Sequence, residues 1–203
     1  MSDMTTNDIV NTDFDFLKRD FIELKRLHGT FQALLDEVDK KKPQSEDILT
    51  LSAPLFFKDV LNCYYELIIL RCARLLDPAR QGRNTNITFN TLLDHVRVCS
   101  QTDFLEMNGV LEKMKSLEVI KSSRNKGIAH LDYDSNVGLG SLLYPSVDEI
   151  SLFMAFGECF IRFFERFTGS EVWNYEVVVE RPELILFEKL NFAQLYIEEH
   201  LND

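Results

Sequence analysis

Residues Thr12–Val38 read TDFDFLKRDFIELKRLHGTFQALLDEV. Phe14, Leu17, Phe21, Leu24, His28, Phe31, Leu35 and Val38 recur at alternating spacings of three and four. That spacing puts them on one stripe of a helix and on no single face of a strand. The stripe runs for more than three heptads, so it predicts a long helix lying along a long antiparallel partner. Thr12 or Asp13 can cap its start. Lys40-Lys41-Lys42-Pro43 ends it, with cations at the negative end of the helix dipole and a proline stop. His28 falls in the seam, where a hydrogen-bonded core or interface histidine is expected.

The same period continues outward. A second helix is predicted from Ser52-Ala53-Pro54, with the proline in its first turn. Its stripe is read as Phe56, Val60, Cys63 or Tyr64, Leu67, Arg71, and Arg74 or Leu75. Arg71 and Arg74 sit on or beside that stripe near the C-terminal end. They either complement the helix dipole or point into a site. Asp77-Pro78 stops the helix, and residues 79–87 form a polar, basic, turn-rich loop. Thr88 caps a short helix carrying Phe89, Leu92, Leu93 and Val96. Asp103 can cap the next, whose stripe of Leu105, Val110, Leu111, Met114, Leu117 and Ile120 leads into Arg124. Ser146 and Glu149 form a capping box. The helix after it carries Ile150, Phe153, Gly157, Phe160, Phe164 and Phe167, and Thr168-Gly169 ends it. Residues 173–180 alternate apolar and polar as a short extended segment, and Pro182 opens a last helix. The expected fold is all-α: an antiparallel helical bundle of five to six helices in a single domain over 12–203. Residues 1–11 form a flexible N-terminus, and 168–203 are an extension.

Composition agrees with long uninterrupted elements. Only eight Gly and five Pro occur in 203 residues, too few for an all-β chain of many turns. The net charge of -11 opposes wholesale nucleic-acid binding. It is unevenly spread, however. Residues 71–126 hold 10 basic and 6 acidic side chains, whereas the stretches before and after are acidic. An anionic ligand is therefore expected against the middle third, unless its cations are simply solvated helix faces. Cys63, Cys72, Cys99 and Cys159 form no C-x-x-C pair and have apolar neighbours; they read as buried, reduced thiols. The N-terminus has no basic-then-apolar signal pattern and no apolar run is long enough for a membrane span, so a cytoplasmic protein without membrane contact is expected.

The chemistry is concentrated in Ser122-Ser123-Arg124-Asn125-Lys126-Gly127-Ile128-Ala129-His130-Leu131-Asp132. A guanidinium grips phosphate oxygens through charge-assisted pairs. An imidazole can take a proton from a ribose 2′-OH or give one to a leaving oxygen. Asn125 can add a hydrogen bond, and Asp132 can orient the imidazole or accept local backbone bonds. No metal and no other cofactor is required. On one straight helix, at about 100° per residue, Arg124 and His130 would point about 120° apart. Either Gly127 loosens the helix between them, or two chains pair so that both pairs line a shared cleft. The spacing itself is close to what chance supplies. The structural alternative is an arginine in a helix salt bridge and a histidine capping carbonyls.

The string Arg124-Asn125-Lys126-Gly127-Ile128-Ala129-His130 resembles the signature of the HEPN superfamily: an arginine, usually followed by a polar residue, four to six residues before a histidine. The layout is similar to the abortive-infection AbiU-like branch. A helix ending in Leu70-Arg71-Cys72-Ala73-Arg74-Leu75-Leu76-Asp77-Pro78 precedes a polar loop, a short helix begins at Ile87-Thr88-Phe89, and a long helix runs into Arg124. The similarity covers roughly residues 12–168. It implies an all-α homodimer and a metal-independent endoribonuclease site built from both subunits' Arg–His pairs. Arg124 would bind and polarise the phosphate, with Asn125 beside it, and His130 would be the acid/base group. Lys126, Asp132, Arg71 and Arg74 would bind substrate or support the site. Products would carry a 2′,3′-cyclic phosphate. Such proteins act as toxins or phage-defence effectors, some with a nucleotidyltransferase antitoxin as partner. Antitoxin-paired members carry His-x-Tyr, whereas here Tyr133 falls one residue later. The superfamily also contains non-catalytic nucleotide-binding and scaffolding modules, which stand as the alternative.

Overall fold

The computed structural model describes residues 6–39, 54–125 and 144–170. They form six helices and one small hairpin: α1 (Thr6–Asp39), α2 (Pro54–Leu75), β1 (Arg80–Gln81), β2 (Asn84–Thr85), α3 (Phe89–Cys99), α4 (Gln101–Lys115), α5 (Glu118–Ser123) and α6 (Val147–Thr168). The all-α expectation holds. The extended segment expected at 173–180 and the last helix lie outside the described residues. Two compact units divide the chain. Among the described residues, the first takes α1 through Leu24 and everything from Ile69 onward, and the second takes Lys25–Asp39 and Pro54–Ile68.

The first unit is built on aromatic rings. Phe14, Leu17, Phe21 and Leu24 of α1 are buried on the stripe read from the sequence. Phe89, Leu92 and Val96 of α3 and Ile150, Phe153, Phe160 and Phe164 of α6 are buried with them. Phe14 meets Phe164 at 4.6 Å between ring centroids, and Phe89 stands edge-on to Phe160 at 4.8 Å. Burying each such ring stabilises the fold by roughly 1.5–3 kcal/mol. Gly157 lies inside this row because Phe21 packs directly on it. A Cβ there would collide with the ring carbons. α4 packs on both α3 and α6 through Met107, Leu111 and Met114. One ion pair enters the core: Lys18 bridges Glu165, with side chains only 4% and 1% exposed.

The caps explain most boundaries. Thr88 and Ser146 form capping boxes with Thr91 and Glu149, so α3 and α6 start where the sequence placed them. α6 ends at Gly169 with φ 67°, a left-handed cap that favours glycine. Other boundaries differ from expectation. α1 begins at Thr6, and Asp13 lies within it, with its carboxylate 3.6 Å from His95 Nε2. Ser100, not Asp103, caps α4. The same residue closes α3 by donating its backbone N–H to Val96, and its hydroxyl accepts from the Asp103 N–H. The helix expected to run unbroken into Arg124 is interrupted at Ser116–Leu117. There the Ser116 hydroxyl donates to the Lys113 carbonyl at 2.7 Å, and Leu117 leaves helical geometry at φ −77°, ψ 56°. Within α4, Leu105 is exposed and Met107 takes the expected place in the core.

α2 also departs from the reading. Its buried face is Ile68, Ile69, Cys72, Ala73 and Leu75, with Leu76 buried just after its end, while Phe56, Cys63 and Leu67 are exposed. Tyr64–Leu76 is apolar almost all round, so more than one stripe fits it and periodicity cannot fix the phase. Of the four cysteines only Cys72 is buried; Cys63, Cys99 and Cys159 are exposed, which corrects the expectation of four buried thiols. Burial pushes the Cys72 thiol pKa far up.

In the second unit, α1 continues with Leu27, His28, Phe31 and Leu34 buried. Leu34 replaces the expected Leu35, so the buried face turns part-way round the helix. Phe31 faces Tyr65 of α2 at 5.6 Å. His28 is buried, as its place in the seam implied, and desolvation lowers its pKa from the ordinary 6.5. Among the described residues no helix is long and apolar enough to cross a membrane.

Candidate functional site

The site begins where α2 ends. Arg71 and Arg74 are three residues apart, so they project from one side of the last turn. Both reach Asp20 of α1. Arg71 Nη1 is 3.4 Å from Oδ1, and Arg74 Nη2 bonds Oδ2. What the geometry shows for this pair is an ion pair with an acidic residue of α1.

Asp77 follows one turn later. Its backbone is fixed from α3: the Asn90 side-chain amide donates to the carbonyls of Leu76 and Asp77 at 3.1 and 2.9 Å. These bonds satisfy acceptors that a helix end leaves open. The connection from Pro78 to Thr88 is equally well held. The β1–β2 hairpin turns at Gly82, with φ 64°, and pairs Arg80 with Thr85 and Gln81 with Asn84. Asn86 donates its side-chain amide to the Pro78 carbonyl at 3.0 Å. The stretch read as an irregular loop is therefore a braced hairpin.

Held in this way, Asp77 presents Oδ1 to Arg124, whose Nη1 donates at 2.6 Å. Arg124 Nε donates to Asn125 Oδ1 at 2.9 Å. The Arg124 and Asp77 side chains are 20% and 19% exposed, so the bridge is shielded but not sealed. Among the described residues no hydrogen bond engages the remaining nitrogen, Nη2. Arg124 and Asn125 lie in a widened, π-type turn that follows α5. Such turns insert an extra residue and recur at functional sites.

Asp77 also borders a pocket of about 660 Å³. Phe16, Arg19 and Asp20 of α1, Arg71 and Arg74 of α2, and Thr85 of the hairpin are among its lining. The structure thus brings Arg71, Arg74, Arg124 and Asn125 to one end of the first unit, with Asp77 linking pocket and arginine. Lys126, His130 and Asp132 lie outside the described residues. Among the described residues no group of three or more His, Cys, Asp or Glu side chains is arranged to hold a metal ion. Sequence reasoning missed Asp20, Asn90 and the role of Asp77. Asp77 was visible only as a helix stop, because its partner is 47 positions away.

A helical domain in which an Arg-x5-His string leaves a core helix defines a HEPN-type domain. The family model HEPN_AbiU2, described as AbiU2, matches residues 14–166, well over half of the chain, and the chain belongs to that family. The resemblance to the AbiU-like branch is borne out, over nearly the span expected. No curated protein and no solved structure matches the chain significantly.

Proposed function

We propose that this HEPN domain is a metal-independent endoribonuclease of toxin or phage-defence type, working as a homodimer with a composite Arg124/His130 site. The observation that carries the reading is the setting of Arg124. Its guanidinium is oriented by Asp77 on one nitrogen and Asn125 on another, at the edge of a pocket lined by further arginines. An arginine pre-oriented in this way can bind phosphodiester oxygens without reorganising, and it stabilises the charge that accumulates as phosphorus becomes five-coordinate. One protomer's His130 takes the 2′-OH proton, and the 2′-oxygen attacks phosphorus. The bond to the 5′-oxygen breaks, and that oxygen takes a proton from the second protomer's imidazolium. The products are a 2′,3′-cyclic phosphate and a 5′-hydroxyl. Arg71, Arg74 and Lys126 supply positive charge along the RNA, and Asp132 orients the imidazole. An antitoxin is compatible with this reading as a partner, although Tyr133 departs from the His-x-Tyr of antitoxin-paired members.

The test compares cleavage of RNA in EDTA by the wild type, Arg124→Ala and His130→Ala. The wild type is expected to leave cyclic-phosphate ends, and each variant to lose about 10²-fold or more in rate. Equal cleavage by all three, or none by the wild type on any RNA, overturns the reading.

One observation favours a second reading, a non-catalytic nucleotide-binding or scaffolding module. Asp77 neutralises Arg124 within the chain, which matches the structural alternative of an arginine in a helix salt bridge. Nucleotide binding without turnover, lost in Arg124→Ala, supports that module instead.

A further inference from the structure

The pocket beside Asp77 contains groups whose arrangement a general positive charge along the RNA does not explain. Arg71 and Arg74 take the two oxygens of a single carboxylate, Asp20. That is the arrangement by which a pair of guanidinium groups holds a phosphate. Asp20 therefore occupies an anion receptor from inside the chain. It holds that place loosely: Arg74 is 60% exposed and Asp20 23%, and partly solvated pairs contribute little net stability. A phosphodiester, with one negative charge shared by two non-bridging oxygens, can exchange for the carboxylate at small cost.

A second feature lies on the same helix face, one turn away. Phe16 is 53% exposed at the pocket edge, and the Arg19 guanidinium carbon sits 5.5 Å from its ring centroid. A large exposed aromatic ring bearing a planar cation is the surface on which unpaired bases stack. The pocket volume of about 660 Å³ falls within the range that holds small organic ligands. The lining is nevertheless not simply basic, because Asp20, Glu23 and Asp77 balance Arg19, Arg71 and Arg74. A pocket neutral at rest does not attract polyanions indiscriminately. It takes one phosphate by displacing one carboxylate.

We infer that this pocket is a nucleotide subsite for single-stranded RNA, in which Arg71 and Arg74 hold a backbone phosphate in place of Asp20 and the adjoining base lies on Phe16. The inference rests on the nuclease reading for the choice of RNA as the polymer. Asp20 acts as an internal competitor that keeps the arginines aligned and sets how tightly RNA is held.

The test measures fluorescence anisotropy of a labelled, uncleavable 2′-O-methyl octanucleotide of mixed sequence, titrated with the full chain. The double variant Arg71→Ala/Arg74→Ala is expected to bind at least tenfold more weakly, and Phe16→Ala at least threefold more weakly. Asp20→Asn is expected to bind at least threefold more tightly, because it releases the fork. Glu158→Gln on α6 makes the same charge change at an exposed pair with Arg162 and is expected to stay within twofold of the wild type. Equal affinities for Asp20→Asn and Glu158→Gln, or wild-type affinity in the double variant, overturn the subsite. If the double variant or Asp20→Asn does not fold, Arg71→Lys/Arg74→Lys keeps the charge and removes the fork. At least threefold weaker binding by it supports the inference, and unchanged binding overturns it. The probe is never cleaved, so the two proposals fail separately. Subsite binding by a protein that cleaves no RNA sinks only the nuclease; cleavage with binding indifferent to the fork sinks only the subsite.

Discussion

Two ion-pair sites in the first unit use the same chemistry to opposite ends. Lys18–Glu165 lies within the aromatic core, with both side chains almost completely buried. Arg71 and Arg74 with Asp20, and Arg124 with Asp77, lie at the pocket, and each retains access to water. A buried pair has surrendered its hydration, so the loss of either member is costly. A partly solvated pair has kept much of its hydration, so it can change partners. The first kind specifies which helices meet. On the subsite proposal, the second holds arginines that another anion can engage.

The sharpest way to break this comparison is to remove one member of the buried pair. Lys18→Met removes the cation that bridges Glu165 in the core, and should cost about 3–5 kcal/mol of unfolding free energy in a urea titration. A loss below about 1 kcal/mol would mean that the core pair is as exchangeable as the pocket pairs, and the distinction would collapse.

The second test moves to the pocket edge. Asp77→Asn keeps an acceptor near Arg124 but removes the charge that orients it. On the nuclease proposal Asp77 is a positioning residue, so kcat for RNA cleavage should fall about tenfold with KM little changed, and stability should fall by about 1 kcal/mol. A variant with unchanged kcat but a much lower melting temperature would assign Asp77 to the fold alone.

The smallest effect concerns His28, a titratable group buried in the second unit. Its pKa is lowered by desolvation, so the folded chain resists the proton that the unfolded chain accepts. Above pH 6.5 both states are neutral and the contribution is complete. As pH falls below 6.5 the unfolded state gains protons first, and stability declines. His28→Gln should flatten that acid limb in melting curves taken between about pH 7 and 5. An identical limb in the variant would place the proton uptake elsewhere.

Much of the fold was legible because its signals are local. The capping boxes at Thr88 and Ser146, the left-handed stop at Gly169 and the three-four stripe of α1 each depend on residues within a turn or two. The Arg124 string was legible for the same reason, and it carried much of the resemblance that the family match over residues 14–166 bears out. The phase of α2 was not, because a helix apolar on most sides offers several equivalent stripes. The break at Leu117 arose from one hydroxyl bonding one carbonyl, which the apolar pattern does not register. The pocket was hidden more deeply. Arg71 and Arg74 could be singled out as cations near an apolar stripe, but Asp20 lies 51 and 54 positions from them. Nothing in spacing alone pairs residues at such separations.

Gly157 and Phe21 carry one further consequence, for how this sequence can vary over time. The ring of Phe21 fills the space where a side chain at 157 would stand, so neither position is free while the other is fixed. Enlarging 157 first meets a clash in the core; shrinking 21 first leaves a void. Drift at this contact is a two-step path through a disfavoured intermediate, and the pair is inherited as a single unit. Among relatives the two positions should change together or stay as they are, a joint signature that neither residue's chemistry would announce by itself.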